Sequence, residues 1–240
     1  MDRPGLAGRL LAGLLARVER INLRCARHGN PAVYDPAAFP WVEEIERNWP
    51  AIRTELDRVM ERRAALPPVQ AITPDAAGIT QDQGWKIFLL IAYGIRSPPG
   101  IALCPETWRA VRRIPGLRTA MFSVFEPGKR LPPHRGPYNG VLRLHLGLIV
   151  PEAGERVAIR VGDNVRCWEE GRALIFDDAY EHAAWNLSER PRVVLFVDFE
   201  KPLRWPANWL NRALLRLAPF TPYLREGAEN LRAWERRFYG

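Results

Sequence analysis

Three of the chain's four histidines, His134, His145 and His182, lie between Phe122 and Phe199, each beside a run that alternates apolar and polar residues as a strand does. Imidazole binds iron, zinc, copper and nickel alike, so the residue type raises metal chemistry without naming the metal. His134 and His182 stand 48 positions apart (182 minus 134). They can share a metal only if folding brings two separate strands together. A lone histidine is more often a hydrogen-bonded core residue than a ligand. These two sit at strand margins beside turn residues, where a β core opens to solvent and sites are commonly built. Arg143 and His145 are two apart and therefore share one face of VLRLHLGLIV. Arg192 opens the run RVVLFVDFE where an apolar residue is expected. A cation aimed into a barrel is costly unless it meets an anion. A small molecule bearing a carboxylate would satisfy it, because arginine grips carboxylates with two parallel bonds.

The elements that must hold these groups are short strands. TAMFSVFE, VLRLHLGLIV, RVAIRVG, RALIFDD and RVVLFVDFE follow one another from Arg118, separated by turn residues such as Pro127-Gly128, Gly162-Asp163-Asn164 and Gly171. Strands at this spacing predict a sandwich or jelly roll rather than a parallel sheet. GWKIFLLIAYG reads as a further buried strand, and Pro105 to Ile114 as a short helix with proline in its first turn. Upstream, FPWVEEIERNWPAIRTELDRVMERR carries helical spacing interrupted at Pro50, while residues 66–84 read as a loop. The fold class is therefore α+β, with helices first, a β core, and helices last. We divide the chain into 1–80, a helical region resting on the core; 81–200, the catalytic β core; and 201–240, a basic helical extension.

Charge is concentrated at the two ends. Met1 to His28 hold six arginines against two acids, and Lys201 to Gly240 hold eight Lys or Arg against three Glu. These sum to +4 and +5, so with a total of +8 everything between sums to −1. Residues 5–27 place Leu10, Leu11, Leu14, Leu15, Val18 and Ile21 on one helical stripe, with Arg17, Arg20, Arg24 and Arg27 on another. Such a helix either covers the domain or docks on a lipid surface or partner. Trp205, Trp209, Leu214 and Leu217 beside Arg212 and Arg216 offer the same choice near the other end. The basic start, with Arg3 and Arg9 before LLAGLLA, outlines a signal peptide, but no small-x-small cleavage site follows and we read it as retained. No run of about 18 apolar residues is present to form an ordinary spanning helix. Three widely spaced cysteines (Cys25, Cys104, Cys167) build neither a disulfide framework nor a paired zinc motif, which suits a reducing compartment. The basic ends carry no nucleic-acid motif, so no nucleic-acid partner is expected.

Three stretches then carry a resemblance. PHRGPYNGVLRLHLGL, W-x-x-G-x-x-x-x-FDD-x-x-x-H-x-x-W and R-x-x-L-F-x-D resemble the aspartyl/asparaginyl β-hydroxylases, a family of iron(II) and 2-oxoglutarate dependent dioxygenases. The resemblance spans roughly residues 85–200 and implies a double-stranded β-helix of the cupin-like, jelly-roll kind. It implies His134 and His182 as iron ligands, with Ser123, Arg143, His145 and Arg192 holding 2-oxoglutarate and Arg192 meeting its distal carboxylate. Many oxygenases of this type place an acid two residues after the first histidine. Here that residue is Gly136, as is usual in this family, and Asp178 is the candidate to hold a water at the freed coordination position. Trp185 is a weaker candidate for the substrate pocket.

The resemblance implies hydroxylation of an unactivated C–H, with two substrate classes open. One is the β-carbon of Asp or Asn in a peptide or protein, which the Gly136 pattern favours slightly. The other is a lipid A-type acyl chain at a membrane surface, which the basic, Trp-bearing ends favour. A non-catalytic jelly-roll binding module is the third reading. The expected location is cytoplasmic, with peripheral attachment at the inner face of the membrane as the variant that a lipid substrate would demand.

Overall fold

The computed structural model describes residues 6–152 and 154–240. Arg3 and the rest of the basic start lie outside the described residues, as do the side chains of Arg9, Leu10 and Leu11. Among the described residues eight α-helices and eleven strands follow in chain order: α1 (Leu6–Cys25), β1 (Val33–Tyr34), α2 (Val42–Arg47), α3 (Trp49–Met60), α4 (Val69–Ile72), β2 (Trp85–Ala92), β3 (Ile95–Arg96), α5 (Pro98–Leu103), α6 (Pro105–Val111), β4 (Leu117–Phe125), β5 (Arg130–His134), β6 (Val141–Ile149), β7 (Val157–Val161), β8 (Asn164–Cys167), β9 (Ala173–Phe176), β10 (His182–Asn186), β11 (Arg192–Glu200), α7 (Ala207–Leu217) and α8 (Pro222–Tyr239). The helix expected over residues 5–27 and the break at Pro50 are both present, the latter as α2 followed by α3. The expected loop at 66–84 contains α4 and a turn of 3-10 helix. No helix among the described residues is long and apolar enough to cross a membrane.

All strand pairings are antiparallel and fall into two sheets, ordered β1-β9-β6-β11-β4-β2-β3 and β5-β10-β7-β8. From β4 onward the chain passes between the sheets repeatedly, which makes the double-stranded β-helix. RVVLFVDFE becomes β11 because it is nearly continuous in β-branched and aromatic residues, and it is paired on both sides, by β4 and β6. β5 (RLPPH) is an edge strand, the place where prolines cost no ladder bonds. One core cluster runs from Tyr34 through the sheets to Phe238, so residues from 1–80, 81–200 and 201–240 share it. Phe88 of β2 stacks on Phe122 and meets Trp234 and Phe238 of α8 edge-on. Glu55 of α3, fully buried, accepts from the backbone N–H groups of Glu106 and Thr107 and so caps α6.

A buried ion pair fixes the end of β9. Lys201 Nζ donates to Asp177 Oδ2 at 2.7 Å with both side chains almost wholly enclosed. The Lys201 N–H also bonds the Gly140 carbonyl at 3.0 Å, and Asp177 Oδ1 accepts from Ala179 N at 3.1 Å. The loop from β9 to β10 is therefore tied to the strand beyond β11. Lys201→Met leaves a buried carboxylate without its cation and is expected to cost about 3–5 kcal/mol in urea unfolding. Adding Asp177→Asn should recover part of that loss.

Candidate active site

His134 closes β5 and His182 opens β10, and the two are direct cross-strand partners. Their ring centroids lie 4.1 Å apart. Each Nδ1 faces a carbonyl oxygen at 2.9 Å, Pro132 O for His134 and Tyr180 O for His182. A carbonyl only accepts, so each Nδ1 must carry the proton and each Nε2 keeps its lone pair. Fixing the tautomer through a backbone carbonyl is how metal-binding histidines are commonly oriented. Burial lowers the pKa of both rings, that of His182 to about 3, with the Arg143 charge adding to the effect. Both are therefore neutral near pH 7, the form that ligates. Among the described residues no group of three His, Cys, Asp or Glu side chains is arranged to hold a metal. Two histidines come together without a carboxylate ligand beside them, as Gly136 requires.

Asp178 stands where a side chain on residue 136 would grow. A Cβ on Gly136 would lie 2.3 Å from Asp178 Oδ2, and the Gly136 N–H bonds the Asp178 carbonyl at 2.7 Å. Any side chain here would have to displace the Asp178 carboxylate. Burial raises the pKa of the Asp178 carboxyl, with the charge on Arg143, 2.9 Å away, opposing the shift. Asp178 Oδ1 is buried without a hydrogen-bond partner. Arg143 also bonds Asp198 through Nε at 2.8 Å and lies 4.2 Å from the Phe196 ring centre. Burial works against the Arg143 cation, yet Asp198 and Asp178 together raise its pKa.

A cavity between the sheets is lined by His134, His182, Arg143, His145, Arg192 and Ser123. Ser123 Oγ accepts from Trp85 Nε1 at 3.0 Å, which leaves the hydroxyl proton free to point inward. His145 sits among Trp168, Phe176 and Phe196 with both ring nitrogens buried and unpartnered. Burial first, then Arg192, Arg143 and His182, holds it neutral. Arg192 is sandwiched between Phe125 at 3.8 Å and Trp168 at 4.5 Å; among the described residues its guanidinium makes one hydrogen bond, to Ser123 O at 3.5 Å, and its Nε has no partner. Burial lowers its pKa to about 9, so it stays charged at neutral pH. A buried cation without an acidic partner among the described residues, beside two neutral histidines with open Nε2 atoms, fits a metal ion chelated by an anionic small molecule.

Every site residue expected from the sequence except Trp185 lies at this cluster. His182 and Ala184 face the cavity, so Trp185, an odd step from His182, faces away, and its indole donates to Glu155 O at 2.6 Å. It does not line the pocket. Sequence reasoning gave no role to Asp198 and Trp168, which stand in the quoted motifs, or to Trp85. An acid inside the apolar run RVVLFVDFE was the available signal for Asp198, which is the cross-strand partner of Arg143.

The family profile described as aspartyl/asparaginyl β-hydroxylase matches residues 46–202, about two thirds of the chain. This chain belongs to the aspartyl/asparaginyl β-hydroxylase family. By family it is a hydroxylase, and the reading as an enzyme holds. It is 56% identical over 239 residues to the ornithine lipid ester-linked acyl 2-hydroxylase of Rhizobium tropici, covering 100% of this chain and 85% of that protein. It is 34% identical over 166 residues to the human aspartyl/asparaginyl β-hydroxylase, covering 67% of this chain and 21% of that longer protein. Among solved structures, a Pseudomonas putida prolyl-4-hydroxylase is similar over 64% of this chain and 88% of its own, at 18% identity and a TM-score of 0.40.

Gly136→Ala forces the Asp178 carboxylate away from Arg143 and is expected to lower stability by about 1–3 kcal/mol. Thermal melting of Gly136→Ala against Gly136→Ala with Asp178→Ala isolates the steric part, which the second substitution should remove.

Proposed function

We infer that this chain is an Fe(II)- and 2-oxoglutarate-dependent hydroxylase acting at C2 of the ester-linked acyl chain of an ornithine lipid. The observation that carries the substrate is the 56% identity to the Rhizobium tropici enzyme, which extends over the terminal helices as well as the β core. The match to the human aspartyl/asparaginyl β-hydroxylase leaves a third of this chain uncovered. The two chemistries are close. C2 of an ester-linked acyl chain and the β-carbon of aspartate both lie next to a carbonyl carbon, so one oxidising site can serve either, and the walls around it choose.

In this reading His134 and His182 hold the iron through Nε2, with Nδ1 locked on backbone carbonyls. Arg192 receives the distal carboxylate of 2-oxoglutarate, the Ser123 hydroxyl donates to it, and His145 adds a neutral contact on the same wall. When bound, iron with 2-oxoglutarate and dioxygen supplies the oxidant that turns C–H into C–OH, the co-substrate leaving as succinate and carbon dioxide. Asp178, facing the position that Gly136 leaves open, orients a water by its unpartnered Oδ1. Arg143 reaches this centre chiefly by holding Asp178, which adds a positioning duty to the 2-oxoglutarate contact that the resemblance implies. The Trp85, Trp168 and Phe196 rings around these groups exclude water and strengthen each charge contact.

The test is a one-oxygen mass gain on purified ornithine lipid with Fe(II), 2-oxoglutarate and oxygen, placed by fragmentation at C2 of the ester-linked chain. Oxygen gained instead on an Asp- or Asn-bearing peptide, with the lipid unchanged, supports the second reading, which the human relative favours. Arg192→Met removes the cation that meets the co-substrate and should raise the KM for 2-oxoglutarate by about 30-fold or more, the low end of truncating a buried charge pair. An unchanged KM would remove Arg192 from that role.

A further inference from the structure

Helix α7 carries two apolar stripes, and only one is used. Ala207, Asn211 and Leu215 form the buried stripe, which meets α1 through Leu15, Val18 and Ile21. Two residues out of phase, on the opposite side of the helix, run Trp209, Ala213 and Leu217, with Trp205 just before the helix and Phe220 just after it. Trp205 is 81% exposed and Trp209 67%, and Leu217 and Phe220 are comparably open. Among the described residues eight large apolar side chains are exposed, and six of them belong to α1, α7 and the ends of α7. A surface helix ordinarily has one apolar face and turns its polar face to water.

The charge around this face is mostly positive, although Arg212 pairs with Glu200 at 3.3 Å. α7 holds Arg212 and Arg216 and no acid, Arg204 precedes it, and Arg17, Arg20 and Arg24 of the adjoining α1 face Glu19 as the one acid between residues 13 and 25. Tryptophan and arginine together on an uncovered apolar stripe match the headgroup zone of an anionic bilayer, where the indoles sit at the interface and the cations meet lipid phosphates.

The same two helices grip the loop that leaves His134. Asn22 Nδ2 of α1 donates to Tyr138 Oη and to Asn139 Oδ1, each at 3.0 Å. Tyr138 Oη donates to Asn211 Oδ1 of α7 at 2.7 Å, and Asn211 Nδ2 donates to Gly140 O at 2.8 Å. All four side chains are buried. The loop 135–140, which contains Gly136, therefore lies directly under the inner stripe of α7. A bilayer taking up the outer stripe would be separated from it by one helix diameter, about 10 Å.

We propose that α7, flanked by α1, is a docking surface for an anionic lipid bilayer, and that the Asn22–Tyr138–Asn211 network holds the loop of the metal site against it. The proposal rests on the lipid reading for its purpose, whereas its test measures binding alone. If hydroxylation of lipid fails while vesicle binding survives, the substrate reading falls and the docking surface stands.

The experiment is sedimentation of the full chain with vesicles of phosphatidylcholine alone or mixed with phosphatidylglycerol. The expected result is tighter binding to the mixed vesicles, weakened by salt. Trp205→Ala with Trp209→Ala should weaken it by about tenfold, and Arg204→Gln with Arg216→Gln should remove about tenfold of the preference for anionic lipid. Thermal melting checks that each variant is folded; should the tryptophan pair fail that check, the arginine pair carries the test. Equal binding to neutral and anionic vesicles, or no effect of either folded pair, overturns the proposal. So does a native oligomer that the tryptophan pair dissociates, because the face would then be an interface between copies of this chain.

Discussion

Arg143 is the tie on which the site depends. It starts on β6, bonds its cross-strand partner Asp198 on β11, and reaches Asp178 in the loop between β9 and β10. Asp178 in turn receives the N–H of Gly136, two residues past His134. A single buried guanidinium thus sets the spacing between the ends of β5, β6, β10 and β11. Buried ion pairs add little net stability, since desolvation offsets most of their attraction, but removing one partner strands the other. The value of this arrangement is geometric: the two carboxylates and the cation satisfy each other only in one relative placement of the strands.

The strands with continuous β-branched and aromatic residues were legible in the sequence because burial on both faces writes itself into composition. β5 was not, since Pro132 and Pro133 read as loop until an edge position makes them tolerable. β10 was hidden by its brevity and its two alanines. His134 and His182 could be found from their place at strand margins, yet their pairing across two strands is a fact of topology that no local pattern carries. Trp185 shows a readable constraint left unread: three residues from His182 is an odd step, which on a strand means the opposite face. Trp168 stood in a quoted motif without a role, because its contact with Arg192 joins a turn to a distant strand.

The apolar residues at the chain ends were visible as helical stripes, but which stripe faces the core is decided by tertiary contact. In α7 the deeper stripe is the one built around Asn211, a polar residue that composition alone would send to the surface. It is buried because Tyr138 and the Gly140 carbonyl satisfy its amide. With that bond made, Trp209 and Leu217 have to point outward. A buried asparagine thus fixes the rotation of the helix, and the rotation fixes what the surface offers.

Arg192 poses the opposite problem from Arg143. It is more deeply buried, and its surroundings are aromatic faces and one long bond to a carbonyl. With its pKa lowered to about 9, the cation persists at neutral pH and its desolvation is left uncompensated by any carboxylate among the described residues. A fold that tolerates this without a partner carries a standing cost, and an apolar residue of similar size would relieve it. In the function proposed, a dianion bound at the histidines with its far carboxylate on Arg192 would relieve it too, and the unpaired charge would become binding energy for the co-substrate. On that proposal, the same burial that weakens the free protein would make the cavity selective for a ligand with a carboxylate at its far end.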